Sequence, residues 1–177
     1  MRTFIGIPIP KELRKKVYKI GKEIEMRGVK TVKPENLHWT VKFFGDLDEK
    51  EIKKVKEIMD SIEKEKIEIE VRGIGTFPGS SYVKIIWVGV SKGRTEFYEF
   101  LKEINKKFSG IGKNSSVIPH LTIGRVKFIK DKENLLKKID ELRNVRIGRM
   151  KINKIVLYES QLTTKGPVYK EIKKIEW

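Results

Sequence analysis

Apolar positions fall into two rhythms along the chain. Lys11 to Arg27 carries Leu13, Val17, Ile20 and Ile24 at helical spacing, and Gly28 closes the segment. Asp48 is placed to cap a second helix, with Glu51 at the capping-box position and Ile52, Val55, Ile58, Met59 and Ile62 along one face to about Lys64. Arg94 to Phe108 and Asp131 to Leu142 read as a third and a fourth helix. The other rhythm has a period of two: Ile67, Ile69 and Val71 alternate with Glu68, Glu70 and Arg72, the mark of a half-buried strand. Strands are also expected over Arg2 to Ile7, Leu37 to Phe44, Tyr82 to Val90 and His120 to about Phe128. Val145 to Ile152, Lys154 to Gln161 and Val168 to Ile175 complete the set, with a short extended piece over Val29 to Val32. Turns are expected at Pro34-Glu35-Asn36, Phe77-Pro78-Gly79 and Lys165-Gly166-Pro167, and Ser109 to Ser116 reads as a mobile loop.

The plan repeats itself. After each of two strands come a turn, a helix opened by charged residues, and an alternating strand. This predicts an α+β fold with two antiparallel sheets and flanking helices in pseudo-two-fold arrangement, and a cleft between the lobes. Closing strands at each end can cross between lobes, so residues 1–177 read as one bilobal domain.

The two repeating strands open with the same motif, His38-Trp39-Thr40-Val41 and His120-Leu121-Thr122-Ile123. These are the only two histidines in the 177 residues. In a strand, residues two apart share a face, so His38 pairs with Thr40 and His120 with Thr122, while the apolar partners anchor the core. Two such strands facing each other put two imidazoles and two hydroxyls around one cleft. By continued alternation Lys42 and Phe44 extend the face of His38 and Thr40, as a phosphate contact and a base-stacking ring.

Charge adds to this picture. Forty Lys and Arg against 24 Asp and Glu give a formal net charge of +16. That excess fits either a polyanionic partner such as RNA or DNA, or a solvated charge-rich surface. Abundant Lys and Glu, a single Gln (Gln161) and no Cys match thermophile usage. The lack of Cys excludes disulfides and a Cys nucleophile, and with only two His it argues against zinc, which takes about four ligands. No metal, cofactor or P-loop is expected. No apolar run is long enough to span a bilayer, and the expectation is a cytoplasmic monomer without membrane contact.

With both motifs and their flanks in view, the sequence resembles the two-histidine phosphoesterase superfamily, and within it the RNA 2′,3′-cyclic phosphodiesterases, also called 2′-5′ RNA ligases. The resemblance covers nearly the whole chain. It includes Arg2-Thr3-Phe4-Ile5-Gly6-Ile7-Pro8, the first motif through Phe43-Phe44-Gly45, the second through Arg125, and the closing Leu157-Tyr158-Glu159-Ser160 and Gly166-Pro167-Val168-Tyr169. It implies metal-independent opening of an RNA 2′,3′-cyclic phosphate end to a 2′-phosphomonoester. A reverse or related reaction joins RNA ends, such as tRNA fragments, through a 2′-5′ bond. It implies His38 as general acid, His120 as general base, Arg125 as a phosphate ligand and Phe4 near the ribose or base. Strict alternation from His120 sends Arg125 to the wrong face; a bulge at Gly124 would re-aim it. The family usually has a small apolar residue where Lys42 stands. Two other readings stay open: a phosphodiesterase for small cyclic phosphates, and an RNA-binding module with vestigial catalysis.

Overall fold

A computed structural model describes residues 1–114 and 117–177. Nine strands and four helices follow in order: β1 (Arg2–Pro8), α1 (Lys11–Ile24), β2 (Val29–Thr31), β3 (His38–Asp46), α2 (Glu49–Asp60), β4 (Ile67–Pro78), β5 (Val83–Val90), α3 (Arg94–Lys107), β6 (Leu121–Val126), α4 (Lys132–Glu141), β7 (Arg146–Ile152), β8 (Lys154–Thr163) and β9 (Gly166–Glu176). The fold is α+β. The helices begin and end close to where periodicity places them. The Asp48 cap forms as the reciprocal pair expected, the Glu51 N–H donating to Asp48 Oδ1 at 2.8 Å and the Asp48 N–H to Glu51 Oε2 at 2.9 Å. The strand expected over 67–72 continues to Pro78, because Gly73, at φ 82°, lets the strand change register and pair on with β5. The loop at 109–116 is described to residue 114; Ser115 and Ser116 lie outside the described residues. Its described part is anchored rather than free. Ile111 is buried and the Lys113 N–H donates to Phe44 O at 3.1 Å.

Two antiparallel sheets form, ordered β3-β1-β8-β9 and β2-β6-β5-β4-β7. The pseudo-two-fold is visible in these orders. Each motif strand, β3 or β6, lies beside the strand that leads into a helix, β1 into α1 or β5 into α3. Two further strands follow in each, β8 and β9 beside β1, and β4 and β7 beside β5. Neither sheet is a contiguous half of the chain, since β8 and β9 close the sheet begun by β1 and β3. Buried side chains from both sheets and all four helices form a continuous core. Trp39 is one link across it: its ring meets Phe97 of α3 edge-on at 5.5 Å, and its indole N–H donates to Met150 of β7. No helix among the described residues is long and apolar enough to cross a membrane.

The feature that positions the site is a pair of matched bulges. In β3 the register passes from Gly6↔Thr40 to Ile5↔Lys42, so Val41 is the extra residue. In β6 it passes from Trp87↔Thr122 to Ile86↔Gly124, so Ile123 is the extra residue. The bulge therefore falls on the last position of both motifs. A bulge leaves ladder groups unpaired, and both carbonyls find other donors. The Asn105 side-chain amide of α3 donates to Val41 O at 2.8 Å, and the Val32 N–H donates to Ile123 O at 2.9 Å. Replacing Asn105 with Ala should cost about 1–3 kcal/mol by stranding a buried carbonyl. Denaturant unfolding of the variant measures this, and an unchanged midpoint would show that the bulge needs no cap.

Candidate active site

The bulges decide which side chains reach the cleft. His38 and Thr40 face it as alternation requires. Val41 and Lys42 then both turn inward, and Phe43 takes the next cleft position. Lys42 and Phe44 accordingly do not extend the site, contrary to the alternation reading. Lys42 is 3% exposed and donates its ammonium to Lys113 O at 2.7 Å; burial lowers its pKa. Phe44 is 1% exposed and packs edge-on against Phe108 at 5.3 Å. The same shift in β6 carries Arg125 to the cleft beside Thr122. Phe43 and Arg125 are thus equivalent positions, each three residues beyond its motif threonine. Alternation missed Phe43 because nothing in Val41-Lys42 marks a bulge, whereas Gly124 does.

Both imidazoles are fixed in the same way. Nδ1 of His38 lies 2.6 Å from Asn36 O, and Nδ1 of His120 lies 2.7 Å from Ile118 O, in each case the carbonyl two residues upstream. A carbonyl only accepts, so each Nδ1 carries a proton and Nε2 is the free base of the neutral ring. His38 Nε2 lies 3.1 Å from Thr40 Oγ1. Gly6 makes room for this ring, since a Cβ there would stand 3.0 Å from His38 Cδ2. Phe4 lines the cleft but is only 4% exposed, with its ring among His38 (4.8 Å), Tyr158 (5.2 Å) and Tyr169 (4.8 Å). It supports the imidazole more than it offers a face to a base. On the other side Phe77 and Trp87 hold His120 edge-on at 5.0 and 6.4 Å.

The cleft measures about 250 Å³ and is lined by His38, Thr40, Thr122 and Arg125 together with residues the sequence did not single out. His120 stands outside this lining, though close enough for its charge to act on His38. Arg2, Lys30, Lys33 and Lys165 add four cations to Arg125, and no Asp or Glu lines the space. Ser160 and Tyr169 also line it; from the sequence Ser160, like Tyr158, is expected to be structural, and Tyr169 carries no assigned role. Tyr169 meets His38 edge-on at 5.4 Å. Asn36 is buried and joins two parts of the site. Its carbonyl accepts the hydrogen bond from His38 Nδ1–H, and its amide donates to Pro167 O at 3.0 Å, tying the β8–β9 turn to the imidazole.

Burial sets the electrostatics. It is the main cause that lowers the His38 pKa to about 4, assisted by the charges of Arg125 and His120 and opposed by the Asn36 bond. His120 is lowered for the same first reason, then by Arg125. The free site therefore holds neutral imidazoles near pH 7 and a concentration of positive charge, an arrangement that favours an entering anion. Nuclear magnetic resonance titration of the free protein should show His38 protonating near pH 4, with His120 also below 6.5. Saturating phosphate should raise both midpoints, because a nearby anion favours the imidazolium. A His38 midpoint at or above 6.5 in the free protein would contradict this description.

Comparison with known proteins identifies the family. The profile of the family LigT like Phosphoesterase matches twice, over residues 7–87 and 88–169, one match around each motif. A protein of Methanocaldococcus jannaschii named RNA 2′,3′-cyclic phosphodiesterase is 41% identical, with 100% of both chains covered. One of the same name from Methanothermobacter thermautotrophicus is 34% identical, with 97% of this chain and 96% of that one covered. Among solved structures, Escherichia coli LigT complexed with 3′-AMP superimposes with a TM-score of 0.79 at 17% identity, covering 99% of this chain and 97% of that one. The doubled profile match and the full-length relatives, set on this two-sheet fold, establish that the chain belongs to the LigT-like phosphoesterase family.

Proposed function

We propose that the protein hydrolyses RNA 2′,3′-cyclic phosphate ends to 2′-phosphomonoesters, with one imidazole removing a proton and the other supplying one. The observation that carries this is the matched pair of motif histidines. Each comes from a different sheet and has its Nδ1–H bound to the carbonyl two residues upstream, beside a cleft whose charged lining is entirely cationic. The names of the full-length relatives support the same substrate class.

In the proposed reaction His120 takes a proton from water as its oxygen attacks phosphorus. The bond from phosphorus to the 3′ oxygen breaks, and His38 gives that oxygen a proton, leaving a 2′-phosphate and a 3′ hydroxyl. The assignment of acid and base follows the family resemblance. Thr40, Thr122 and Arg125 hold the non-bridging oxygens, where donors fixed in place stabilise developing charge without reorganising. His38 must be protonated to act as an acid, and its pKa in the free site is about 4. The phosphate supplies the correction, since its negative charge beside the ring favours the imidazolium. With the 5′ hydroxyl of a second RNA in place of water, the same groups would join RNA ends, including tRNA fragments: His120 takes the hydroxyl proton, the 5′ oxygen bonds to phosphorus, the bond to the 3′ oxygen breaks with a proton from His38, and a 2′-5′ bond remains. We take the protein to act as a single bilobal unit and a monomer, since all the named groups come from one chain.

The direct test is incubation with an RNA oligonucleotide ending in a 2′,3′-cyclic phosphate, in the presence of EDTA. The expected product is a 2′-phosphate, with kcat lower by roughly a hundredfold or more in His38→Ala and in His120→Ala. Full activity in either single variant would refute the mechanism, and loss in EDTA would refute its metal independence. Turnover of nucleoside cyclic phosphates alone would favour the small-substrate reading. The pH profile is a second prediction. One group must be neutral and the other charged, and both pKa values lie below 6.5 in the free protein. The profile of kcat/KM should therefore be a bell with its maximum below pH 6.5. The kcat optimum should lie at higher pH, because bound phosphate raises both groups. Coincident optima would contradict this.

A further inference from the structure

A second groove lies beside the active-site cleft. It has a volume of about 470 Å³, and its wall includes Tyr18, Lys22, Lys30, Lys33, Lys127 and Phe128. It shares Lys30, Thr31 and Lys33 with the catalytic cleft, so the two depressions lie side by side along β2. β2 is the outer strand of its sheet, pairing with β6 and bridged at Val29 to Met26 of the preceding turn. Among the described residues Glu25 is the one carboxylate along the groove, and Lys22 holds it in an ion pair at 2.8 Å.

Phe128 gives the groove its character. It is 52% exposed, yet its backbone is fixed: the N–H groups of Lys127 and Phe128 both donate to Gly28 O, at 2.7 and 3.5 Å. Gly28 has φ 91°, and a Cβ there would collide with the Phe128 carbonyl and crowd its ring. The bare glycine lets the segment after β6 lie directly against the α1–β2 turn and present the ring outward. Tyr18, from α1, supplies the second ring, with the Lys22 ammonium 5.3 Å above it.

We propose that this groove binds the nucleotides on the 5′ side of the cyclic phosphate as a single strand. Phe128 and Tyr18 stack on bases, and Lys30, Lys33 and Lys127 contact backbone phosphates. The inference rests on the RNA reading above and deepens it. A cyclic phosphate is the 3′ end of its strand, so the rest of the RNA leaves the cleft only in the 5′ direction. Rings interleaved with cations match the alternation of bases and phosphates along a strand. The backbone that carries Phe128 is already ordered, so binding need not pay to order that segment. A nucleoside cyclic phosphate ends inside the catalytic cleft and does not reach the groove.

The test compares Phe128→Ala and Lys127→Ala with the wild type on two substrates. One is a ten-nucleotide RNA ending in a 2′,3′-cyclic phosphate, and the other is cytidine 2′,3′-cyclic phosphate. Affinity for the ten-nucleotide RNA ending in a 2′-phosphate is measured in parallel. Phe128→Ala should raise the oligonucleotide KM and Kd about tenfold and leave cytidine cyclic phosphate turnover within about twofold. Lys127→Ala should reduce the slope of log affinity against log salt by about 0.7. Both residues are exposed, and matching melting temperatures check the fold. Unchanged oligonucleotide constants in both variants, or equal losses on both substrates, would overturn the proposal. If the wild type turns over neither substrate, the hydrolytic function fails. The affinity measurement still decides the groove: weaker binding by the variants supports it, and equal binding rejects it.

Discussion

An extra residue at the end of each motif, Val41 and Ile123, sets the geometry on which the site depends. An ideal strand would follow His38 and Thr40 with Lys42 and Phe44, and His120 and Thr122 with Gly124 and Val126. The bulges at Val41 and Ile123 replace those successors with Phe43 and Arg125. They also turn the Lys42 chain into the protein, where its ammonium needs the Lys113 carbonyl to be tolerated. Such a distortion persists only if the stranded backbone groups are satisfied, and Asn105 and Val32 do so from outside each strand pair. The Asn105 donor comes from α3, which belongs to the other half of the repeat, so each half of the fold helps shape the motif of its counterpart.

The site is built to be short of negative charge. Five cations line the cleft with no carboxylate among them, and desolvation keeps the two imidazoles neutral near pH 7. Those choices reinforce each other. A charged His38 in a buried position beside Arg125 would be expensive, so the free protein avoids it, and an anion relieves the repulsion and the desolvation together. Asn36 adds a mechanical link. By binding both the His38 ring and the Pro167 carbonyl, it holds the turn that carries Lys165 in register with the imidazole.

The distribution of charge beyond the cleft is uneven in a useful way. Lys30 and Lys33 belong to both the cleft and the groove beside it, and the aromatic rings of that groove come from α1 and from the segment after β6. A net charge of +16 by itself is equally a thermophile's surface and a nucleic-acid binder's. The proposed RNA path adds to that balance a basic groove with an exposed ring beside the cleft, neither of which a solvated surface needs.

The sequence alone determined the elements, the two-sheet α+β class, the pairing of each histidine with its threonine, and the family. These depend on local periodicity, capping and a motif whose partners sit two residues apart, where strand geometry leaves little freedom. The tertiary structure alone decided that Lys42 and Phe44 are core residues and that Phe43, Asn36, Tyr169 and the lysines of β2 belong beside His38. Bulge positions depend on which strand pairs with which and on donors such as Asn105, 64 residues away from Val41 in the chain. Alternation carries no record of that pairing except where a glycine such as Gly124 happens to mark it. The sheet orders decided the rest, since β8 and β9 close over the first motif from the far end of the chain.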